Sequence, residues 1–339
     1  MTIALDAMGG DGSPSIEVEG AILAAKEYNA EIILVGDEKQ LRSEIEKHGS
    51  SSDLPLSICH ASQRVEMHES PVSVLRRKKD SSIAVATNLV QEGKASAVVS
   101  AGHSGATMAA ALFILGPIKG VERPAIATIL PTLEGVSIML DVGANVDCKP
   151  KHLFQFAIMG HAYAKKMMHR ENPRIGLLSI GEEDSKGNIL TKETFKHLKE
   201  SPLNFIGNVE GRDVFSGNAD VVVCDGFIGN VALKISEGVA ETIGKLLARE
   251  IGKSFFGKVG YLLLKPAFTS FKKRVDYAEY GGAPLLGVNG VCIICHGRSS
   301  PRAIKNAIAM ALDLTKLQTI NYVQKDIAEM MTFYGEDAG

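Results

Sequence analysis

The chain has 339 residues, 45% of them apolar and 22% charged, with a net charge of −2. That balance fits a globular protein with a sizeable core and gives no global attraction to nucleic acid. The five cysteines sit mostly in apolar runs, no secretory leader opens the chain, and no apolar stretch reaches the ~18 residues of a membrane span. Together these features predict a cytoplasmic protein with reduced thiols, at most resting on a membrane surface.

Taken in chain order, short apolar runs alternate with helical patterns. "TIALDAMGGDG" predicts a strand and a glycine-rich loop, 16–28 a helix, "EIILVGD" a second strand, 38–48 a charged helix and "LSICHA" a third strand. A helix over 82–92 leads to the strand "ASAVVSAG". "AIATILPT" and "VSIMLDVGAN" read as paired strands joined by Glu134-Gly135. Later come "RIGLLSIGEE", "NFIGNVEGRD", "ADVVVCDGFIGN" and "GVCIICHGRSS", each ending in glycine plus polar residues. The alternation predicts a three-layer α/β/α fold with a mostly parallel sheet. One catalytic α/β domain over 1–339 is expected, with two lobes around a cleft.

Ligands of open α/β sheets bind at the carboxyl ends of the strands. Seven polar loops occupy such positions, beginning at Asp6, Gly102, Asp141, Gly181, Glu210, Asp225 and His296, and they are expected on one rim. Neither a P-loop nor a dinucleotide fingerprint is present. Cys292 and Cys295 fall inside an apolar run and read as a buried strand rather than a redox pair. Cys148, beside Lys149, is a minor nucleophile candidate if its pKa is lowered.

The stretch "VVSAGHSGATMAAA" admits two readings. As G-x-S-x-A it looks like a nucleophile elbow, and Ser104, Asp225 and His296 follow the order of a hydrolase triad. Alternatively its backbone N–H groups cradle an anion where a small-residue helix begins, near Ala106.

Two segments are basic. "ESPVSVLRRKKDSS" groups Arg76, Arg77, Lys78 and Lys79 before two serines, a composition suited to phosphate or to a solvated helix face. The second, "KSFFGKVGYLLLKPAFTSFKKR", carries six cations and no acid. Its Phe255, Phe256, Leu262, Leu263, Leu264 and Phe268 suit contact with an anionic membrane or a dimer interface. Pro266 predicts a bend, hence a helix–bend–helix hairpin over 251–275.

Asp6-Ala-Met-Gly-Gly-Asp11, the pattern from Ser70 to Ser82, Ser100-Ala-Gly102, Asp141-Val-Gly-Ala-Asn145, "GEEDSKGN", "GNVEGRD", "CDGFIGNVALK" and "YGGAPLLGVNGVCIICHG" recur in order. Together they resemble the bacterial phosphate acyltransferase family, PlsX, over nearly the whole chain. The resemblance implies reversible transfer of a long-chain acyl group from acyl carrier protein to inorganic phosphate, giving acyl phosphate for phospholipid synthesis. It also implies a homodimer with a fold similar to phosphate acetyltransferases and isocitrate/isopropylmalate dehydrogenases. No cofactor, metal or nucleic acid is implied. A membrane glycerol-3-phosphate acyltransferase would use the product.

Positioning and charge stabilisation suffice for phosphate attacking a thioester. Gly9, Gly10, Gly102, Ser104, Gly105, Lys186 and Arg212 are the expected phosphate ligands. By similarity to phosphate acetyltransferases, Asp225 and Asn230 are expected to orient, with His296 as oxyanion donor, acid–base group or cap of the helix near Pro301. Arg76, Lys78, Lys272, Lys273 and Arg274 are expected to dock the acidic carrier. The family usually reads Asn-Thr where this chain has His103-Ser104. A threonine there suits a strained elbow poorly, so Ser104 reads better as a phosphate ligand or helix cap. A short-chain transferase using acyl-CoA, a serine hydrolase on Ser104, a metal-dependent dehydrogenase and a lipid-surface adaptor are the competing functions.

Overall fold

In the computed structural model, which describes residues 1–49, 54–66, 68–71, 76–275 and 280–334, eleven strands form one sheet among the described residues. The amino-terminal part alternates β1 (Thr2–Asp6), α1 (Ser15–Tyr28), β2 (Glu31–Gly36), α2 (Glu38–Lys47), β3 (Leu56–His60), α3 (Ser82–Gln91) and β4 (Ala97–Ser100). A short helix α4 (Ser104–Ala110) continues as a π turn, Ala111–Leu115. β5 (Ala125–Thr132) and β6 (Gly135–Leu140) make the expected hairpin, whose turn glycine, Gly135, has φ 132°. There follow α5 (Pro150–Met167), β7 (Ile175–Leu178), α6 (Ile189–Glu200), β8 (Phe205–Val209) and β9 (Val221–Val223). Two long helices, α7 (Gly226–Gly252) and α8 (Phe255–Val275), precede β10 (Ala283–Leu286), β11 (Val291–Ile294), α9 (Pro301–Lys316) and α10 (Thr319–Met330).

The strand order is β3-β2-β1-β4-β11-β10-β5-β6-β9-β7-β8. Seven of the ten strand pairings are parallel, so the sheet is mostly parallel, as expected. The three antiparallel pairings lie together at β11-β10-β5-β6 and reverse the direction of every strand beyond them. The expectation of seven loops on one rim is therefore corrected. Loops after β1, β4 and β11 leave one edge of the sheet, and those after β6, β7, β8 and β9 leave the opposite edge.

Burial follows from strands that are apolar on both faces, as "VVV" of β9 and "VCII" of β11 are. α5 is the most enclosed helix, with Phe154, Phe156 and Tyr163 all at 0% exposure. Each such side chain contributes roughly 1.5–3 kcal/mol by leaving water. α1 packs closely on α9 at Gly20, where a Cβ would lie 2.6 Å from Ile304 Cβ. Cys224, Cys292 and Cys295 are buried within this core, in keeping with a strand rather than a redox pair.

α7 and α8 stand apart, since α7 buries only Gly226 and Gly229. The hairpin expected over 251–275 is corrected: its turn lies between the two helices, and α8 runs through Pro266 unbroken. Ser254 makes the break by accepting the Gly257 N–H at 2.8 Å on its Oγ. Proline costs a helix the hydrogen bond to the carbonyl four residues back. Here that carbonyl belongs to exposed Leu262, at the outer surface of the fold.

Candidate active site

At the ends of β1 and β4, the buried Asp6 carboxylate accepts the Ser100 hydroxyl at 2.7 Å and the Met8 N–H at 3.3 Å. Burial raises its pKa, against the pull of hydrogen bonds from Ser82, Ser100 and Met8. Gly9 allows the two loops to touch, for a Cβ there would lie 2.7 Å from Gly102 Cα. The expected backbone cradle is largely occupied from within. Gly10 N–H donates to Glu17 Oε1 at 3.2 Å, Gly102 N–H to Ser100 Oγ at 3.1 Å, and Gly105 and Ala106 N–H to His103 Nδ1 at 3.1 and 3.4 Å.

His103, not Ser104, therefore caps α4, and the helix begins two residues before the expected Ala106. Its ring nitrogen stands where a capping oxygen usually sits, satisfying the Gly105 N–H and sharing the Ala106 N–H, which also donates to His103 O at 2.9 Å. Ser104 is left exposed in the first turn. After β11, His296 Nδ1 accepts the Arg298 N–H at 3.1 Å, while Asp11 N–H donates to Gly297 O at 2.9 Å and joins this turn to the β1 loop. His296 does not cap the next helix. Ser300 does, its Oγ accepting the Ala303 N–H at 3.2 Å.

At the opposite edge, Asp141 organises the site. Its Oδ1 accepts the N–H groups of Ile126 and Ala144, both at 3.0 Å, and its Oδ2 those of the Asn145 backbone (2.6 Å) and side chain (2.9 Å). Gly226 presses against the same carboxylate, where a Cβ would lie 2.7 Å from Oδ2, and a Cβ on Gly229 would collide with the Asp141 carbonyl. Gly226 also donates its N–H to Asn145 O at 2.8 Å. The start of α7 is thus fixed to the 141–145 loop. Asp225 caps α7 by accepting the Ile228 N–H at 2.9 Å. Asn230 is exposed and lies over Gly143, whose φ of 123° favours glycine.

β9, β7 and β8 are neighbours, so their terminal loops lie roughly 5 Å apart per strand. Lys186 and Arg212 occupy the β7 and β8 loops, and both are exposed. Arg212 meets Glu182 at 3.4 Å and Glu210 at 3.2 Å, and Lys186 is 4.0 Å from Glu183. Solvated bridges of this kind hold weakly and give way to a better anion. Ile180, Ile189, Phe227 and Ile228 are exposed around them.

The structure thus groups Asp225, Asn230, Lys186 and Arg212 at one edge, and Gly9, Gly10, Gly102, Ser104, Gly105 and His296 at the other. Asp225 is separated from Ser104 and His296, so the hydrolase triad is not assembled along the sheet. α7 spans between the two sets: Glu241 is held below its ordinary pKa first by Lys245, with Arg298 of the β11 loop among its cations. Cys148 is corrected as a nucleophile, because burial pushes its thiol up to about 12. Of the docking candidates, Arg76 is exposed, whereas Lys78 is held by Glu69 Oε2 at 2.6 Å and Arg64 O at 2.9 Å. The side chains of Lys272, Lys273 and Arg274 lie outside the described residues. Along α8, Phe255, Phe256, Leu262, Leu263 and Leu264 are exposed, and Phe268 is half-buried with its ring 5.2 Å from that of Tyr261.

Residues 1–322 match the family model described as "Fatty acid synthesis protein". A phosphate acyltransferase of Geobacter sulfurreducens is 60% identical over 311 residues, covering 92% of this chain and 90% of that protein. Another, from Trichlorobacter lovleyi, is 56% identical over 329 residues, covering 97% and 95%. The chain belongs to this phosphate acyltransferase family. Among solved structures, a phosphotransacetylase from Streptococcus pyogenes shares the fold, with TM-score 0.63, 18% identity and coverage of 95% of this chain and 94% of that one. A branched-chain phosphotransacylase from Enterococcus faecalis V583 aligns with TM-score 0.59, 14% identity and coverage of 93% and 99%.

Two carboxylates of the family fold escaped the residue-level reading. Asp141 was legible only as part of a polar loop. Glu17 carried a signal, an acid on the buried stripe of α1 with Val18, Ala21, Ala24 and Ala25.

Proposed function

We propose that the protein transfers a long-chain acyl group from the thioester of acyl carrier protein to inorganic phosphate. A phosphate oxygen bonds to the acyl carbon, the carbon–sulfur bond breaks, and the carrier thiol leaves with a proton. The reading is supported by two exposed cations, Lys186 and Arg212, at the ends of adjacent strands on the same sheet edge as Asn230, with exposed apolar side chains on that edge. The cations suit phosphate and its developing charge. The apolar rim suits an alkyl chain better than the short acyl group of an acetyltransferase. Asp225 and Asn230 orient the reactants, whereas His296, Ser104 and the glycines expected to bind phosphate stand at the opposite edge of the sheet.

Partners follow from the surfaces. α7 presents Val231, Ile235, Val239 and Ile243, four residues apart and exposed, which suits burial against a second copy as a homodimer. α8 combines exposed Phe and Leu with Lys258 and Lys265, and Lys253 lies just before it, a composition for peripheral contact with anionic lipid. None of the described helices is long and apolar enough to cross a membrane. Arg76 and the 272–274 cluster would receive the acidic carrier, and the membrane glycerol-3-phosphate acyltransferase would take the product.

The deciding assay incubates the protein with acyl carrier protein thioester, with and without phosphate. Thiol release that depends on phosphate supports the transferase. Release without phosphate favours a hydrolase, no release an adaptor, and turnover only with acyl-CoA the short-chain enzyme.

A further inference from the structure

Asn145 closes the 141–145 loop and is partly buried. Its amide nitrogen donates to Pro124 O at 2.7 Å and to Asp141 Oδ2 at 2.9 Å, so both amide hydrogens are engaged. Its backbone N–H donates to the same Asp141 oxygen at 2.6 Å, and its carbonyl accepts the Gly226 N–H at 2.8 Å. One residue thus ties three pieces of the sheet edge together: the entry to β5, the end of β6 and the first turn of α7.

The contact with α7 leaves no slack. A Cβ on Gly226 would lie 2.7 Å from Asn145 O and 2.8 Å from Asn145 N. One turn further along α7, Asn230 Cβ and Cγ lie 3.6 Å from where a Cβ on Gly143 would stand. The loop therefore meets α7 twice, at Gly226 and at Asn230. Lys186 and Arg212 belong to other loops, after β7 and β8, and their nearest carboxylates, Glu182, Glu183, Glu210 and Asp213, lie in those same two loops. Asn145 holds the part of the edge that carries Asn230 and touches neither cation's loop through any of these bonds.

An asparagine suits the position because two acceptors converge on one nitrogen. Aspartate would place a third acceptor between Pro124 O and the Asp141 carboxylate, and alanine would leave both without that donor.

We propose that Asn145 is a positioning residue for acyl transfer: it latches the first turns of α7 to the 141–145 loop and so fixes the orientation in which Asn230 meets the reacting groups. This rests on the transferase reading of that edge. A shift of roughly 1 Å in an orienting group slows the chemical step without loosening the hold of separate cations on an anion. Orientation and phosphate binding thus fall to separate parts of one sheet edge.

The test is a double-mutant cycle of Asn145→Ala and Asn230→Ala, read by steady-state kinetics with phosphate varied and by hydrogen exchange at the Gly226 amide. N145A should lower kcat about tenfold, leave KM for phosphate unchanged and speed exchange of the Gly226 N–H. In the N230A background the further loss caused by N145A should shrink to about twofold or less, because the residue it positions is gone. A merely structural role would lower the melting temperature and give the same kcat ratio in both backgrounds. That result, an unchanged kcat, or a loss confined to KM overturns the proposal. Asn145→Ser keeps one donor for Asp141; it should give the same split in milder form, and it carries the test if N145A does not fold. If wild type shows no phosphate-dependent turnover while Gly226 exchange still quickens in N145A, the latch stands and the transferase reading falls. Unchanged exchange overturns the latch itself.

Discussion

His103 Nδ1 accepts the Gly105 backbone N–H at 3.1 Å, so an imidazole closes the start of α4 and occupies a donor that sequence reasoning assigns to phosphate. His103→Ala leaves the Gly105 N–H unpaired, while Ala106 keeps its bond to His103 O at 2.9 Å, and should cost about 1 kcal/mol in urea unfolding. His103→Asn, which restores an accepting side chain, should recover most of it. Equal destabilisation by both variants would show that the ring is held for its packing.

Lys186 and Arg212 are exposed, and the carboxylates near them are exposed Glu183 and Glu182 and the partly exposed Glu210 and Asp213. Replacing either by alanine should leave the melting temperature unchanged. Each should raise KM for phosphate about tenfold to a hundredfold, matching roughly 1.5–3 kcal/mol for a hydrogen bond to a charged group. Steady-state kinetics with phosphate varied will show whether the loss falls on KM.

Asp141 accepts four N–H groups and has no room for a donor. Asp141→Asn turns an amide nitrogen toward at least one of them and should cost about 3 kcal/mol. Gly229→Ala should be at least as damaging, since its new methyl meets the Asp141 carbonyl. Differential scanning calorimetry on both variants checks this, and a melting curve like wild type in either would contradict the packing described.

Burial that pushes the Cys148 thiol up to about 12 leaves roughly one molecule in ten thousand as thiolate at pH 8. Alkylation by iodoacetamide at pH 8 should be slow at Cys148, and Cys148→Ser should keep full turnover. Rapid labelling with loss of activity would reinstate the cysteine.

On α8, Phe256 and Leu263 are 85% and 77% exposed. Changing both to serine should abolish flotation with vesicles containing anionic lipid, since each apolar side chain is worth roughly 1.5–3 kcal/mol when buried. Raised salt should weaken the wild-type interaction through its lysines. Dimer formation, assigned to α7, should persist in light scattering.

The alternation of runs and loops was legible because strand and helix periods differ, and it located Lys186, Arg212 and Asp225 at strand ends, whereas Asn230, read as part of the same loop, lies inside α7. The reversal of half the sheet was not legible. It depends on β10 and β11, more than 140 residues beyond β5, entering between β4 and β5. Local pattern carries no trace of such a pairing. Pro266 misled for a different reason: proline disfavours a helix interior, but exposed α8 tolerates it, and Ser254 sets the break instead. Glu17 stayed hidden because its importance lies in what it touches, the Gly10 N–H and Ser13 hydroxyl.

The central place of β10 and β11 has a consequence for synthesis. Residues 283–294 join β4 to β5, yet they emerge from the ribosome after the nine other strands of the described residues. Until then β4 and β5 lack the strands that separate them, and either edge, once formed, is a template for pairing with another chain. Translation must pass Ile294 before the seam can close, which makes this stage the one most in need of a chaperone's cover.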